Sequence, residues 1–316
     1  MRTDILTITL NPTVDYCTSA PQVFPDRKLR CTEPTIDPGG GGINVARAIR
    51  LLGGQATSLI AIGGPTGARL LELLALEGVP TVAFQGPGET RQSMSVTDAS
   101  TGAQYRFVMP GPAWTDEDVQ RGLRSIDRAA GDGTLVVLSG SQPPGVAKDF
   151  PSILAHHVAG RAARLIVDTS GPALQHLVEK PRQAIYALRM DAEEAEGLAG
   201  RPLLDRTDTA KFARSIVDKG IARTVIVARG ADGSVLASAQ GAWHSVSPPV
   251  EVVSRVGAGD SFVGAFTLSI ARDEPPEQAL AHGTAAATSA VMTQGTSLCR
   301  TEDVTRLLPQ CAAQKI

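Results

Sequence analysis

The residues with the most specific chemical meaning in this chain lie in two glycine-rich clusters far apart in sequence. They are Gly39-Gly40-Gly41-Gly42-Ile43-Asn44 and Val256-Gly257-Ala258-Gly259-Asp260-Ser261. Each sits where an extended segment gives way to a helical pattern. Successive backbone N–H groups without bulky side chains, set at a helix N-terminus, make a cradle for an anion. The first cluster carries no charge and ends in an amide, Asn44, whereas the second carries one carboxylate, Asp260. A neutral polar cradle together with one holding a lone carboxylate points to a site joining a hydroxyl-rich acceptor to a phosphate donor.

Locally, Asp260 has two readings. Aspartate is common at helix starts, where its side chain caps exposed N–H groups. A cap does not need three small residues before it, however, and such residues let a phosphate approach the backbone. A carboxylate there accepts a proton from an attacking hydroxyl while the N–H groups stabilise charge on the transferring phosphoryl. Gly39–Gly42 reads either as a tight turn or as an approach to Asn44, whose amide offers a donor and an acceptor to a sugar hydroxyl. Asp15, after the first predicted strand, is either a solvated loop aspartate or the partner of a pair of hydroxyls. Lys28 and Arg91 lie on two extended segments. They face solvent by default, but would meet a phosphate on the acceptor if those segments close over a site. Ser141 belongs to Ser139-Gly140-Ser141-Gln142-Pro143-Pro144-Gly145, a turn that follows a buried run and points toward a crevice. Asp168 ends Leu165-Ile166-Val167, a typical position for a metal-contacting carboxylate.

Competing chemistries are poorly served. There is no G-x-x-x-x-G-K-[ST], which speaks against a P-loop NTPase. Gly63-Gly64-Pro65-Thr66-Gly67 misses G-x-G-x-x-G, and the second cluster lacks the βαβ opening and later acidic residue of a dinucleotide fold. His156, His157, His176, His244 and His282 form no metal or nucleophile pattern. Cys17, Cys31, Cys299 and Cys311 show no C-x-x-C spacing and are expected to be reduced thiols. A net charge of −2 and 4% aromatic residues argue against a nucleic-acid partner. No cationic leader opens the sequence, and no apolar run approaches the roughly 18 residues of a membrane span. The expectation is a soluble, cytoplasmic protein that engages no membrane.

At 316 residues the chain can bury the core of one large α/β domain or two smaller ones. Predicted strands are Ile5–Leu10, Ser58–Ile62, Thr134–Leu138, Leu165–Asp168, Ala184–Leu188 and Thr224–Ala228. Between them lie amphipathic stretches such as Ile43–Leu52, Ala68–Leu76, Asp116–Ala129, Thr209–Lys219 and Glu277–Met292, with a further helix at Asp260–Ala271. The alternation is that of β-α-β units around a mainly parallel sheet, an α/β fold. Two segments break it. Tyr16–Ile36 and Thr90–Val108 are extended without an intervening helix, and are expected to pair as a small antiparallel sheet. That sheet would form a flap over the C-terminal ends of the parallel strands.

With these residues in view, the chain resembles the ribokinase-like (PfkB) carbohydrate kinases over essentially its whole length. The first family signature runs from Gly39 through Asn44 and Ala46 to Gly53 and Gly63. The second centres on Gly257-Ala258-Gly259-Asp260, with Gly264-Ala265 following. Finer features are similar to the minor type of 6-phosphofructokinase: Thr9-Leu10-Asn11-Pro12 with Asp15, Lys28-Leu29-Arg30-Cys31, Thr90-Arg91-Gln92, Tyr105–Gly111 and Gln294-Gly295-Thr296.

The resemblance implies a three-layer α/β/α main domain over residues 1–10, 38–88 and 111–316. Residues 11–37 and 89–110 would form a β-lid that also mediates a homodimer. It implies ATP with Mg²⁺ as donor, and a sugar phosphate as acceptor. Asp260 would be the base, with the N–H groups of Gly257, Ala258 and Gly259 as its anion hole. Asp15, Gly39, Gly40 and Asn44 would hold the sugar, and Lys28, Arg91 and Ser141 its phosphate. Asp168 and Glu194 would serve the Mg²⁺. Arg189, Asp191, Glu194, Arg229, Gly230, Gly233, Arg255 and Gly283 would border the nucleotide. K⁺ near the Ser254–Val256 loop occurs in parts of the family. The implied reaction converts fructose 6-phosphate to fructose 1,6-bisphosphate. A 1-phosphofructokinase or tagatose-6-phosphate kinase shares the motifs, and an inactive sugar-phosphate sensor is the reading of another class.

Departures cluster on one side of the site. Arg189-Met190-Asp191 replaces the family's Lys-Pro-Asn, with Glu194 retained. Ala228-Arg229-Gly230 replaces Ser-Leu-Gly, and Arg255 replaces a threonine or serine before the second cluster. The expectation is that Arg189, Arg229 and Arg255 surround the donor's phosphates and offset the added charge of Asp191.

Overall fold

A run such as Ile5-Leu6-Thr7-Ile8-Thr9, with no charge in it, is stable in a sheet only when both faces are covered. In this computed structural model, which describes residues 4–316, that run is β1 (Ile5–Thr9), fully buried. After it come β2 (Thr13–Ala20), β3 (Thr35–Gly39), α1 (Gly41–Leu51), β4 (Thr57–Ile62), α2 (Gly64–Leu76) and β5 (Thr81–Gln85). The chain continues through β6 (Arg91–Asp98), β7 (Gln104–Val108), α3 (Asp116–Ala129), β8 (Leu135–Ser139), α4 (Phe150–Ala159) and β9 (Arg164–Asp168). Next are α5 (Gly171–Glu179), β10 (Ile185–Asp191), α6 (Ala192–Ala199), α7 (Arg206–Asp218), β11 (Ala222–Ala228), β12 (Ser234–Ser238) and β13 (Gly241–Ser245). Helices α8 (Ala258–Ala271), α9 (Pro276–Val291) and α10 (Thr301–Leu307) precede a short β14 (Gln314–Lys315).

Among the described residues the main sheet has the order β14-β13-β12-β11-β10-β9-β8-β1-β4-β5. From β11 to β5 it is parallel, and β12 to β14 extend the β11 edge antiparallel. Successive side chains alternate between two cores, as strand geometry requires. On β8, Val136 and Leu138 join Ile126, Phe150 and Leu174 from α3, α4 and α5. Leu135 and Val137 face the other way, toward Ile43, Phe262 and Phe266 from α1 and α8. This is the expected α/β/α layering.

A second, four-stranded sheet has the order β3-β2-β6-β7. The two segments that break the alternation do pair here, but the expected antiparallel arrangement is corrected. Strands β2 and β6 run parallel, and only the outer pairs β2–β3 and β6–β7 are antiparallel. The reason is the α1-β4-α2-β5 excursion between them, which returns the chain in its original direction.

Candidate active site

The parallel strands β1, β8, β9 and β10 end side by side, and their C-terminal ends carry Asn11, Ser139, Asp168 and Arg189. Helix α8 starts above them. Its first residue follows Gly257, which holds φ 76°, a left-handed turn that a side chain would strain. No side chain caps this helix, which removes the capping reading of Asp260. Its carboxylate turns inward instead. Oδ2 accepts from Asn44 Nδ2 at 2.9 Å, and Oδ1 lies 3.5 Å from the donating Ser139 hydroxyl. Burial and the negative charge of Asp168 push the carboxyl up to about 6, against the opposing pull of Asn44, Arg189 and Ser139. That places its titration close to neutral, where a general base works best. Among the described residues no side chain caps the N–H groups of the first α8 turn, so they are open to an incoming acceptor.

Gly259 has its own reason to be glycine. A Cβ there would sit 3.1 Å from Arg189 Nη1, so the guanidinium lies directly behind the cradle. Arg189 also pairs with Asp168 at 3.1 Å, and Asp168 accepts from Ser139 at 3.3 Å. Asp260, Ser139, Asp168 and Arg189 thus form one continuous polar row across three strand ends.

On the acceptor side, Gly39 leaves no room for a Cβ because the Asp15 carboxylate fills that space. Burial raises the pKa of Asp15, with Asp37 adding to the rise, while Thr13, Arg91 and Arg106 oppose it. Arg91 donates to the Asn11 carbonyl at 3.2 and 3.3 Å, to Ser93 at 3.1 Å and to the Met109 carbonyl at 3.3 Å. Asn11 Nδ2 in turn lies 3.4 Å from Ser141 Oγ. Asp15, Gly39, Gly40, Asn44, Arg91 and Ser141 are therefore brought together. Lys28 is not: it lies exposed in the irregular stretch between β2 and β3, with no ion pair among the described residues.

On the other side of α8 lies a cavity of about 780 Å³. Arg189, Asp191, Gly230, Gly233, Arg255 and Phe262 are among the residues lining it. Three residues expected beside the nucleotide do not line this cavity. The Arg229 guanidinium does not reach the cavity wall; it is tied to Asp232 at 2.9 Å, to the Leu203 carbonyl at 3.2 Å and to Thr209. Gly283 acts one layer back, because a Cβ there would meet the Phe262 ring at 2.8 Å. Glu194 is part of a capping box for α6, accepting from the Asp191 N–H at 2.8 Å, while Asp191 accepts from the Glu194 N–H at 2.8 Å. Burial raises the Glu194 pKa, opposed by that N–H and helped by the Asp191 and Asp168 charges.

Mg²⁺ keeps several waters and needs only one or two carboxylates beside a substrate's phosphates. Asp168 and Glu194 offer such oxygens, yet Asp168 is paired with Arg189 and Glu194 with a backbone N–H. No cluster of three ligating side chains forms among the described residues. The donor set fits a cation carried in by a polyphosphate better than a resident one.

Three further residues bond to the site residues without standing out in the sequence: Asn11, Ser139 and Arg47. The readable signal for Arg47 was a lone cation on the apolar run Val45-Ala46-Arg47-Ala48-Ile49.

A doubly covered parallel sheet, a second sheet beside the strand ends and an aspartate at an uncapped glycine-rich helix start define a ribokinase-like phosphotransferase. The chain belongs to the pfkB family of carbohydrate kinases, whose model matches residues 3–303. It is similar to ATP-dependent 6-phosphofructokinase isozyme 2 of Escherichia coli K12, 41% identical over 303 residues, 96% of this chain and 97% of the relative. Two crystal structures of phosphofructokinase-2 from E. coli align with it. The one in complex with fructose-6-phosphate has a TM-score of 0.91 at 38% identity, covering 98% of this chain and 99% of the other. The one in complex with potassium has a TM-score of 0.92 at 39% identity, covering 97% and 98%.

Proposed function

We propose that the protein transfers the terminal phosphoryl group of ATP to the free primary hydroxyl of fructose 6-phosphate, giving fructose 1,6-bisphosphate and ADP. The observation that carries this reading is Asp260, raised to about 6 and held by Asn44 at the uncapped start of α8. In this mechanism Asp260 accepts the hydroxyl proton as the sugar oxygen attacks phosphorus. The N–H groups at Gly257, Ala258 and Gly259 and the positive end of the helix stabilise the charge on the phosphoryl oxygens. Asp15 and Asn44 orient the sugar hydroxyls, while Arg91 and Ser141 meet its phosphate, joined by Lys28 only when the exposed segment between β2 and β3 closes over the site. The nucleotide occupies the cavity beside Gly230, Gly233 and Phe262. Mg²⁺ would neutralise phosphate charge, with Asp168 and Glu194 as candidate carboxylates, and a monovalent cation would sit at the Ser254–Val256 loop.

The residues 11–37 and 89–110 act as a lid over the acceptor, and four free cysteines suit a cytoplasmic enzyme. Support for the acceptor comes from the E. coli phosphofructokinase-2 crystallised with fructose-6-phosphate, which aligns over 98% of this chain at 38% identity. A coupled assay across fructose 6-phosphate, fructose 1-phosphate and tagatose 6-phosphate tests the reading. The highest kcat/KM is expected with fructose 6-phosphate; preference for either other sugar phosphate would reassign the substrate. Tight sugar-phosphate binding without turnover would instead favour a sensor.

A further inference from the structure

We infer that Arg47 is a positioning residue: it fixes which way the Asn44 amide faces and thereby favours the ionised form of Asp260. The inference rests on Asp260 being the base proposed above. Arg47 is only 8% exposed, surrounded on α1 by buried apolar residues, and is too deep to meet either substrate. Its guanidinium grips Glu77 through Nε and Nη2 at 2.6 and 2.7 Å, with the Asp37 carboxylate 3.7 Å away. The remaining nitrogen, Nη1, donates to the Pro38 carbonyl at 3.1 Å and to Asn44 Oδ1 at 3.2 Å.

The chemistry of these groups leaves one arrangement. A guanidinium can only donate, so the Asn44 atom facing Arg47 must be the carbonyl oxygen. The amide NH₂ is then on the opposite side, where it donates to Asp260 Oδ2 at 2.9 Å. A donor held there favours the carboxylate over the acid. Without Arg47 the amide is free to turn over and present its oxygen to Asp260, an arrangement that suits only the protonated acid. Ser139, Asp168 and Arg189 face Asp260 from β8, β9 and β10, and no hydrogen bond joins Arg47 to any of them among the described residues. The route from Arg47 to Asp260 runs through Asn44.

The test is the pH dependence of kcat with saturating fructose 6-phosphate and ATP. In Arg47→Met the acid-limb midpoint is expected to move to higher pH. kcat below the wild-type midpoint should fall roughly tenfold, the scale of one charge-assisted hydrogen bond, with KM for ATP within about twofold. Arg47→Lys, which keeps a charge for Glu77 and a donor for Asn44, should recover most of the loss. Glu77→Gln, which leaves the Asn44 contact but loosens its anchor, should shift the midpoint part-way. These two milder variants carry the test if Arg47→Met does not fold. In an Asn44→Ala background none of the three should move the midpoint further. A loss uniform across pH, or the same shift without Asn44, overturns the inference alone. A wild-type protein that turns over no sugar phosphate overturns it together with the proposed function.

Discussion

At Asp260 burial and the Asp168 charge hold a carboxyl at about 6, and two consequences follow at the level of this one residue. The first is kinetic: the base works only when ionised, so activity should fall below an acid limb near pH 6 and level off above it. Asp260→Asn should leave sugar-phosphate affinity near normal while lowering kcat by about 10²–10⁴, the usual contribution of a general base. Retention of most of the activity would remove Asp260 from the role. The second is thermodynamic. A carboxyl whose folded pKa lies above its unfolded value stabilises the fold at low pH, and that contribution is lost as pH rises through about 6. At pH 8 the ionised aspartate is therefore a liability of up to roughly 3 kcal/mol, less what its partial exposure relieves. Asp260→Asn should raise Tm at pH 8 and make little difference near pH 3.5; an unchanged Tm at pH 8 would contradict the burial argument. Arg91 is the corresponding test of the acceptor side. Removing a charged donor to a phosphate costs about 1.5–3 kcal/mol, so Arg91→Ala should raise KM for the sugar phosphate roughly 10- to 150-fold and spare KM for ATP.

Between residue and molecule, the elements decide what each side chain can reach, and the donor loop after β11 shows this. Arg229 and Arg206 both clamp Asp232, which brings the Asp232 pKa down to about 2, and His244 Nε2 meets the Asp232 carbonyl at 2.6 Å. The clamp shapes the short 3₁₀ turn Gly230–Asp232, of which Gly230 and Ala231 line the cavity beside α8 where the nucleotide is proposed to sit. Arg229→Leu should therefore raise KM for ATP severalfold through the loop's backbone, with KM for sugar phosphate unchanged. A variant with normal ATP kinetics would make the clamp irrelevant to binding. The family resemblance puts Arg229 among the donor's phosphates, because it fixes a position along the chain and not the side chain's partners, although Asp232 stands only three residues away. Elements with a one-sided pattern were legible: α3 was read at its observed bounds, Asp116–Ala129, and Thr115 with Asp118 closes its capping box. Helix α4, with apolar Phe150, Leu154 and Val158 but little polar contrast, was missed, as was the half-exposed edge strand β5. The glycine clusters point to the site because a side chain at Gly39 would collide with the Asp15 carboxylate and one at Gly259 would crowd the Arg189 guanidinium. Asn11 and Ser139 act by reach across neighbouring strand ends, which no spacing along the chain encodes.

For the molecule as a whole, the second sheet poses the remaining physical problem. Its outer strand β7 is exposed throughout, and Met94, Tyr105, Phe107, Val108 and Met109 all present large apolar surface. Phe107 is 51% and Val108 62% exposed, on a strand whose free edge invites pairing with another. Met94, Tyr105 and Phe107 share one face of the sheet, since Met94 pairs with Phe107 and Tyr105 lies two residues before it, and an exposed apolar face of this kind marks a surface that another molecule covers. We expect that molecule to be a second copy of this chain, docked sheet to sheet. Arg91 reaches the Met109 carbonyl and Ser93 in the same sheet, so ordering this surface also orders an acceptor-side cation. Dimerisation and sugar-phosphate binding should then be coupled, each strengthening the other by the same factor. Ultracentrifugation at micromolar concentration should show a dimer or a larger even species, tightened by fructose 6-phosphate. Phe107→Asp should shift it to monomer and raise KM for the sugar phosphate, while leaving KM for ATP close to that of the unsubstituted protein, because the donor cavity lies across α8 from this sheet. A monomeric wild type with full activity would detach assembly from catalysis, and a dimer indifferent to sugar phosphate would leave the lid as an interface with no part in closing the site.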